Sequence, residues 1–180
     1  MYEVELKVAA AHDAVRDRLP EHAESLGAVE QVDTYFDAPH RNFAETDEAL
    51  RIRRERPLDS ADATAAITYK GPLVEAESKT REEFESDVAD GDAVSAALER
   101  LGFEPAATVR KERERFAVDE YTVTLDDVDG LGPHVEVETE HDGEDVAAAR
   151  EGARSLLRTL GCDPDQQLRT SYLGLLLEQA

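Results

Sequence analysis

About eight stretches of this chain alternate charged and apolar residues with a period of two, and in each the charge gathers on one face. In the first, "MYEVELKVAA", Glu3, Glu5 and Lys7 alternate with Tyr2, Val4, Leu6 and Val8. Successive side chains of a strand point to opposite faces, so residues two apart share one. By that rule Arg51 and Arg53 oppose Leu50 and Ile52, and Lys70 opposes Ile67 and Tyr69. Asp126 opposes Val123 and Leu125, while Glu136 and Glu138 oppose Val135 and Val137. The pattern is looser where Arg81, Glu83 and Glu85 oppose Phe84, and where Lys111 and Arg113 oppose Phe116.

One such strand would ordinarily be half buried, with its polar face in water. Repetition along the whole chain points elsewhere. Short turns such as "DEY" at 119–121 and "DGLGP" at 129–133 favour antiparallel pairing, and about eight such strands suit a closed barrel. The expected fold is α+β: a closed antiparallel eight-stranded β-barrel with helices packed outside. Spaced apolar residues predict helices over 11–26, with Asp13 as cap and Gly27 as end, over 95–102, over 144–160 and over 166–178. Apolar faces would then pack outward under the helices, and the charged faces would line the lumen. Lys7, Lys70 and Lys111, three of only four lysines, fall on those faces.

Buried unpaired charge is costly, so such a lumen must be wet, internally paired and completed by ligands. Its basic groups call for an anion of several charges. Its clustered carboxylates, above all Glu3/Glu5 and Glu136/Glu138, call for a hard divalent cation held through oxygen, with Mg²⁺ or Mn²⁺ the natural choice. Metal and polyanion together are the requirements of phosphoryl chemistry.

Composition narrows the partners. With 42 acidic and 20 basic residues, the formal charge is −22, which disfavours nucleic acid and anionic membranes. An acidic, lysine-poor chain suits a cytoplasm of molar salt, as in a halophilic archaeon. No apolar run has the length of a membrane span and no signal sequence is evident, so a cytoplasmic protein is expected. The single cysteine, Cys162, excludes an intramolecular disulfide and a cysteine-based metal cluster. One domain is expected from 180 residues without a Pro/Gly/Ser-rich linker.

The motifs themselves resemble a known family. "EVELK" at 3–7 is similar to the E-x-E-x-K signature of the CYTH superfamily, the triphosphate tunnel metalloenzymes, which includes class IV adenylyl cyclases, thiamine triphosphatases and inorganic triphosphatases. "DTYFDAPHRNFAETDEALRIRRE", "TYKGP", "SKTREEFE", "RKERERF", "LDDVDGLGPHVEVE" and "TSYLGLLLE" follow in the family's order, so that residues 1–180 read as a single such domain. The long first segment and the last look most like the class IV cyclase branch. The resemblance implies Glu3, Glu5, Glu136 and Glu138 as metal ligands, with Asp126 a further ligand or an orienting group. It implies Lys7, Arg51, Arg53, Lys70, Arg81, Lys111 and Arg113 along a triphosphate path, with Lys7, Lys111 and Arg113 acting in catalysis. Structural alternatives stand beside two of these: Arg81 pairing only with Glu83, and Asp126 closing a turn.

His134 and Gly174 depart from the class IV pattern, which usually has an aromatic residue and a carboxylate there. The activity implied is conversion of ATP to 3′,5′-cyclic AMP and pyrophosphate. A triphosphatase acting on inorganic triphosphate, thiamine triphosphate or a nucleotide would use the same residues, and a noncatalytic polyphosphate or nucleotide sensor would keep only the basic lining. The partner is thus a small-molecule triphosphate, and a homodimer is compatible with the resemblance. An EF-hand reading of "LDDVDGLGPHVE" fails because Leu125 occupies the first ligand position and strands flank it. The five histidines lack metal-ligand spacing, and no Walker or Rossmann glycine loop occurs.

Overall fold

The computed structural model describes residues 2–73, 81–141 and 146–179. Strands β1 (Tyr2–Ala9), β2 (Glu24–Asp37), β3 (Ala49–Pro57), β4 (Thr64–Leu73), β5 (Arg81–Val88), β6 (Glu104–Val118), β7 (Tyr121–Val128) and β8 (Gly132–His141) close into a barrel. Its order is β1-β5-β4-β3-β2-β6-β7-β8, and all neighbours are antiparallel. The helices described are α1 (His12–Arg16), α2 (Phe43–Thr46), α3 (Gly91–Arg100), α4 (Val146–Thr159) and α5 (Tyr172–Glu178). None of them is long and apolar enough to cross a membrane.

The expected inversion of the barrel is present, with the apolar core outside the wall. Leu6, Val8, Val123, Leu125, Val135 and Val137 pack outward against Val15 of α1, Ala153 and Leu157 of α4, and Leu160. On the other side Phe36, Leu50 and Ile52 pack with Phe43 of α2 and with Val94 and Leu98 of α3. Leu157 is fully buried, so truncating it to alanine would cost about 2–5 kcal/mol. The outward core frees the inner faces to carry charge.

Besides α2, which the spacing does not predict, the helices differ from the sequence expectation in three places. The helix predicted over 11–26 stops at Arg16, because Pro20 cannot donate to a helical carbonyl and residues from Glu24 onward belong to β2. Gly27, expected to end that helix, takes a positive φ of 91° where the register of β2 on β6 shifts, and Leu26 is left 51% exposed. The helix predicted over 95–102 starts earlier, at Gly91, where the Asp90 carboxylate accepts hydrogen bonds from the Asp92 and Ala93 amides. The segment predicted as one helix over 166–178 splits into a 3-10 turn, Pro164–Gln166, and α5, which is capped by the Ser171 hydroxyl accepting from the Gly174 amide.

Nor does α5 cover the outside. Its Tyr172 packs on Val109 and Val128, which share the inner face with Lys111 and Asp126, so α5 lies over one end of the lumen. Residues 144–145 of the predicted helix over 144–160, and Ser78, Lys79 and Thr80 of "SKTREEFE", lie outside the described residues.

Candidate active site

The barrel encloses a cavity of about 1040 Å³, and every predicted site residue except Asp126 borders it. Strand register explains the grouping. Glu5 lies opposite Glu138 and Lys7 opposite Glu136 across the β1–β8 seam, while Glu3 faces Arg81 where β1 meets β5. Arg53 faces Asp33 across β2–β3, and Arg113 faces Asp126 across β6–β7.

Glu3, Glu5 and Glu138 present carboxylate oxygens within 4.8 Å of one another. Like charges this close repel, and a divalent cation relieves that repulsion while satisfying hard oxygen donors. Burial, resisted by Arg113 and reinforced by the charges of Glu3, Glu136 and Glu5, pushes the Glu138 carboxyl up to about 7. Burial also acts on Glu3, but the Lys70 ammonium 2.6 Å away and a hydrogen bond from Glu83 hold it near 2. Glu83, 2.7 Å from Lys70, is pushed up to about 7 by burial and by Glu3 despite that ammonium. The donor set therefore fits an oxygen-ligated Mg²⁺ or Mn²⁺. Glu136 sits slightly apart, hydrogen-bonded by Arg113 and 3.9 Å from Lys7.

The cations are held by two buried aspartates. Asp33 accepts two 2.7 Å hydrogen bonds from Arg53 and a 3.3 Å one from Arg51. Asp126, with no exposure, accepts from Arg113 at 2.7 and 2.6 Å, from Lys111 at 3.3 Å and from the Tyr172 hydroxyl at 2.9 Å. Burial is outweighed in both by these cations, and both carboxyls are held below the ordinary aspartate range. Asp126 thus stands among the cations and outside the carboxylate trio. Burial, together with Arg113, pushes Lys111 down to about 8. Arg81 donates to the backbone oxygen and the carboxylate of Asp47, both at 2.7 Å, in place of the pairing with Glu83 weighed from sequence.

Sequence reasoning missed Asp33, Gln31 and Tyr172. Asp33 follows the lumen parity of β2, but its meaning appears only when Arg53 is set beside it. Tyr172 was hidden in a leucine-rich segment, yet its ring lies 4.2 Å from the Lys7 ammonium and 4.9 Å from that of Lys111. The two departures are also explained in part. His134 is buried on the inner face with its ring edge-on to Tyr172 at 5.3 Å. At Gly174 a Cβ would come 2.6 Å from the Thr170 methyl, so a larger residue would displace that side chain.

A closed barrel whose lumen sets a carboxylate trio against an array of anchored cations has the chemistry that suits a metal ion and a polyphosphate. The sequence matches the family model for the CYTH domain over residues 1–172, and the chain belongs to that family. Members of this family are in general divalent-metal-dependent enzymes, cyclases or triphosphatases, that act on triphosphates. A provisionally named adenylate cyclase of Methanocaldococcus jannaschii is 35% identical, over 97% of this chain and 98% of its own. The adenylate cyclase CyaB of Aeromonas hydrophila is 27% identical over 84% of this chain and 74% of its own. Among solved structures, a Pyrococcus horikoshii protein superposes with a TM-score of 0.91 at 40% identity, covering 99% of both chains.

Proposed function

We propose that this chain is a metal-dependent adenylate cyclase that converts ATP to 3′,5′-cyclic AMP and pyrophosphate. The observation that carries the proposal is the apposition, in one cavity of nucleotide size, of the Glu3/Glu5/Glu138 trio and the cation array fixed by Asp33 and Asp126. The names of the curated relatives favour cyclisation within the family's range.

Glu3, Glu5 and Glu138 would hold the divalent cation, with Glu136 beside them. When bound, the cation supplies charge stabilisation at the phosphates and acidifies the attacking hydroxyl. The chain's own groups do the rest. Arg51 and Arg53 present guanidinium groups whose orientation is set before substrate arrives, so little ordering is lost on binding. Lys7, Lys111 and Arg113 neutralise the charge that accumulates on departing pyrophosphate as the 3′ oxygen gives up its proton to solvent and bonds to the α-phosphorus, and the bond from that phosphorus to the bridging β-phosphate oxygen breaks. Lys70 and Arg81 complete the wall, Arg81 after release from Asp47. Tyr172, Val109 and Val128 close one end of the lumen and limit the water that competes with the ribose hydroxyl.

The test is phosphorus NMR with nucleotide chromatography on purified protein, in high salt with Mg²⁺ or Mn²⁺, offered ATP and inorganic triphosphate separately. Cyclic AMP and pyrophosphate are expected from ATP. Orthophosphate without cyclic AMP would make the chain a triphosphatase.

A further inference from the structure

Gln31 is a buried amide on the inner face of β2, 1% exposed, between Glu55 on one side and Lys111 on the other in the strand register. Its amino group donates to the Glu55 carboxylate at 2.6 Å. A carboxylate accepts only, so the nitrogen must face Glu55 and the orientation of the amide is fixed. Glu55 is itself held by Arg115 at 3.0 Å. Gln31 borders the cavity, and its amide oxygen, itself buried, accepts from no described residue.

An orphaned carbonyl in that position is informative because of what surrounds it. The other groups of this wall, Arg51, Arg53, Lys111 and Arg113, are donors suited to phosphate oxygens. A bare polyphosphate, fully ionised, offers acceptors alone and would be repelled by the Gln31 oxygen. A nucleoside triphosphate brings hydroxyl and amino donors as well. Buried polar groups without partners are uncommon in native proteins and call for one.

We infer that the Gln31 amide oxygen accepts a hydrogen bond from the nucleoside part of the substrate, so that the cavity selects a donor-bearing nucleoside triphosphate over inorganic triphosphate. The inference rests on the lumen being the triphosphate site, but not on which bond is cleaved there. Gln31 acts as a specificity residue; the phosphates are held by the cations whether or not it is present.

The test is calorimetry on the Mg²⁺-loaded protein with two probes that cannot turn over, bismethylene ATP and bismethylene triphosphate. In Gln31→Met, similar in volume but without the acceptor, affinity for the nucleotide probe should fall about five- to tenfold, the ordinary worth of one hydrogen bond. Affinity for the bare probe should stay within about twofold. Should the variant fail to fold, the wild type carries the test through probes lacking the 2′ hydroxyl, the 3′ hydroxyl or the adenine amino group. One of these should bind about five- to tenfold more weakly than the parent, naming the donor. Equal loss for both Gln31→Met probes, no loss for either, or indifference of the wild type to all three deletions would overturn the inference. Failure to form cyclic AMP with the binding pattern intact would overturn the cyclase assignment alone.

Discussion

The two halves of the barrel wall use charge in opposite ways. Along β2, β3, β6 and β7 each buried carboxylate is saturated: Asp33 by Arg51 and Arg53, Asp126 by Arg113, Lys111 and Tyr172. Along β1, β5 and β8 the carboxylates crowd one another, and Glu83 and Glu138 are pushed up to about 7. The first half is organised in the absence of ligand, whereas the second holds carboxylates that a cation would relieve. On the proposed function, preorganisation therefore lies with the anion-binding wall and conditionality with the carboxylate trio, the arrangement expected if metal and substrate load together.

The largest effect should separate the halves by sign. Glu138→Gln removes one of three mutually repelling carboxylates, so turnover should fall by about a thousandfold or more while thermal stability holds or rises. Asp126→Ala strips the partner from buried cations and should cost about 3–5 kcal/mol of stability, read by denaturant unfolding. If both variants lowered stability alike, the contrast between the halves would be lost.

A smaller loss is expected at the cation wall. Arg53→Ala should weaken binding of bismethylene triphosphate by about ten- to a hundredfold, the worth of a charge-assisted pair of hydrogen bonds, with metal affinity unchanged. Unchanged triphosphate affinity would remove Arg53 from the site.

The gentlest effect is one of pH. Lys111, pushed down to about 8 from the ordinary 10.5, has released its proton in the folded protein over a range where the unfolded chain still holds one. Stability should therefore rise with pH between those values, as Lys111 ceases to be a buried cation. Triphosphate affinity should move the other way and decline above pH 8, because the anion binds the ammonium form. Lys111→Arg should flatten that decline, and a wild-type profile flat to pH 10 would show that Lys111 does not meet the phosphates.

The alternation of charge carried most of this fold into view, since all eight strands and the inward charge follow from a period of two. What stayed hidden depended on partners distant in sequence. Residues 11–26 have helical spacing at Val15, Leu19 and Leu26, but β2 extends back to Glu24 because its pairing with β6 rewards length. The lumen face of β2, with Val29, Gln31, Asp33 and Tyr35, carries a single charge and so gave a weak signal, although Asp33 is the anchor of two arginines. Tyr172 reads as one more apolar residue of a terminal helix until α5 is seen to lie over the lumen. The carboxylate trio likewise needed the β1–β8 register to bring Glu138, and not Glu136, beside Glu3 and Glu5.

The most direct test is a crystal structure with Mn²⁺ and bismethylene ATP, read by manganese anomalous scattering. The account predicts a manganese peak within coordination distance of Glu3, Glu5 and Glu138, with the phosphates against Arg51, Arg53 and Arg113. A peak elsewhere in the molecule, or phosphates bound outside the barrel, would contradict it.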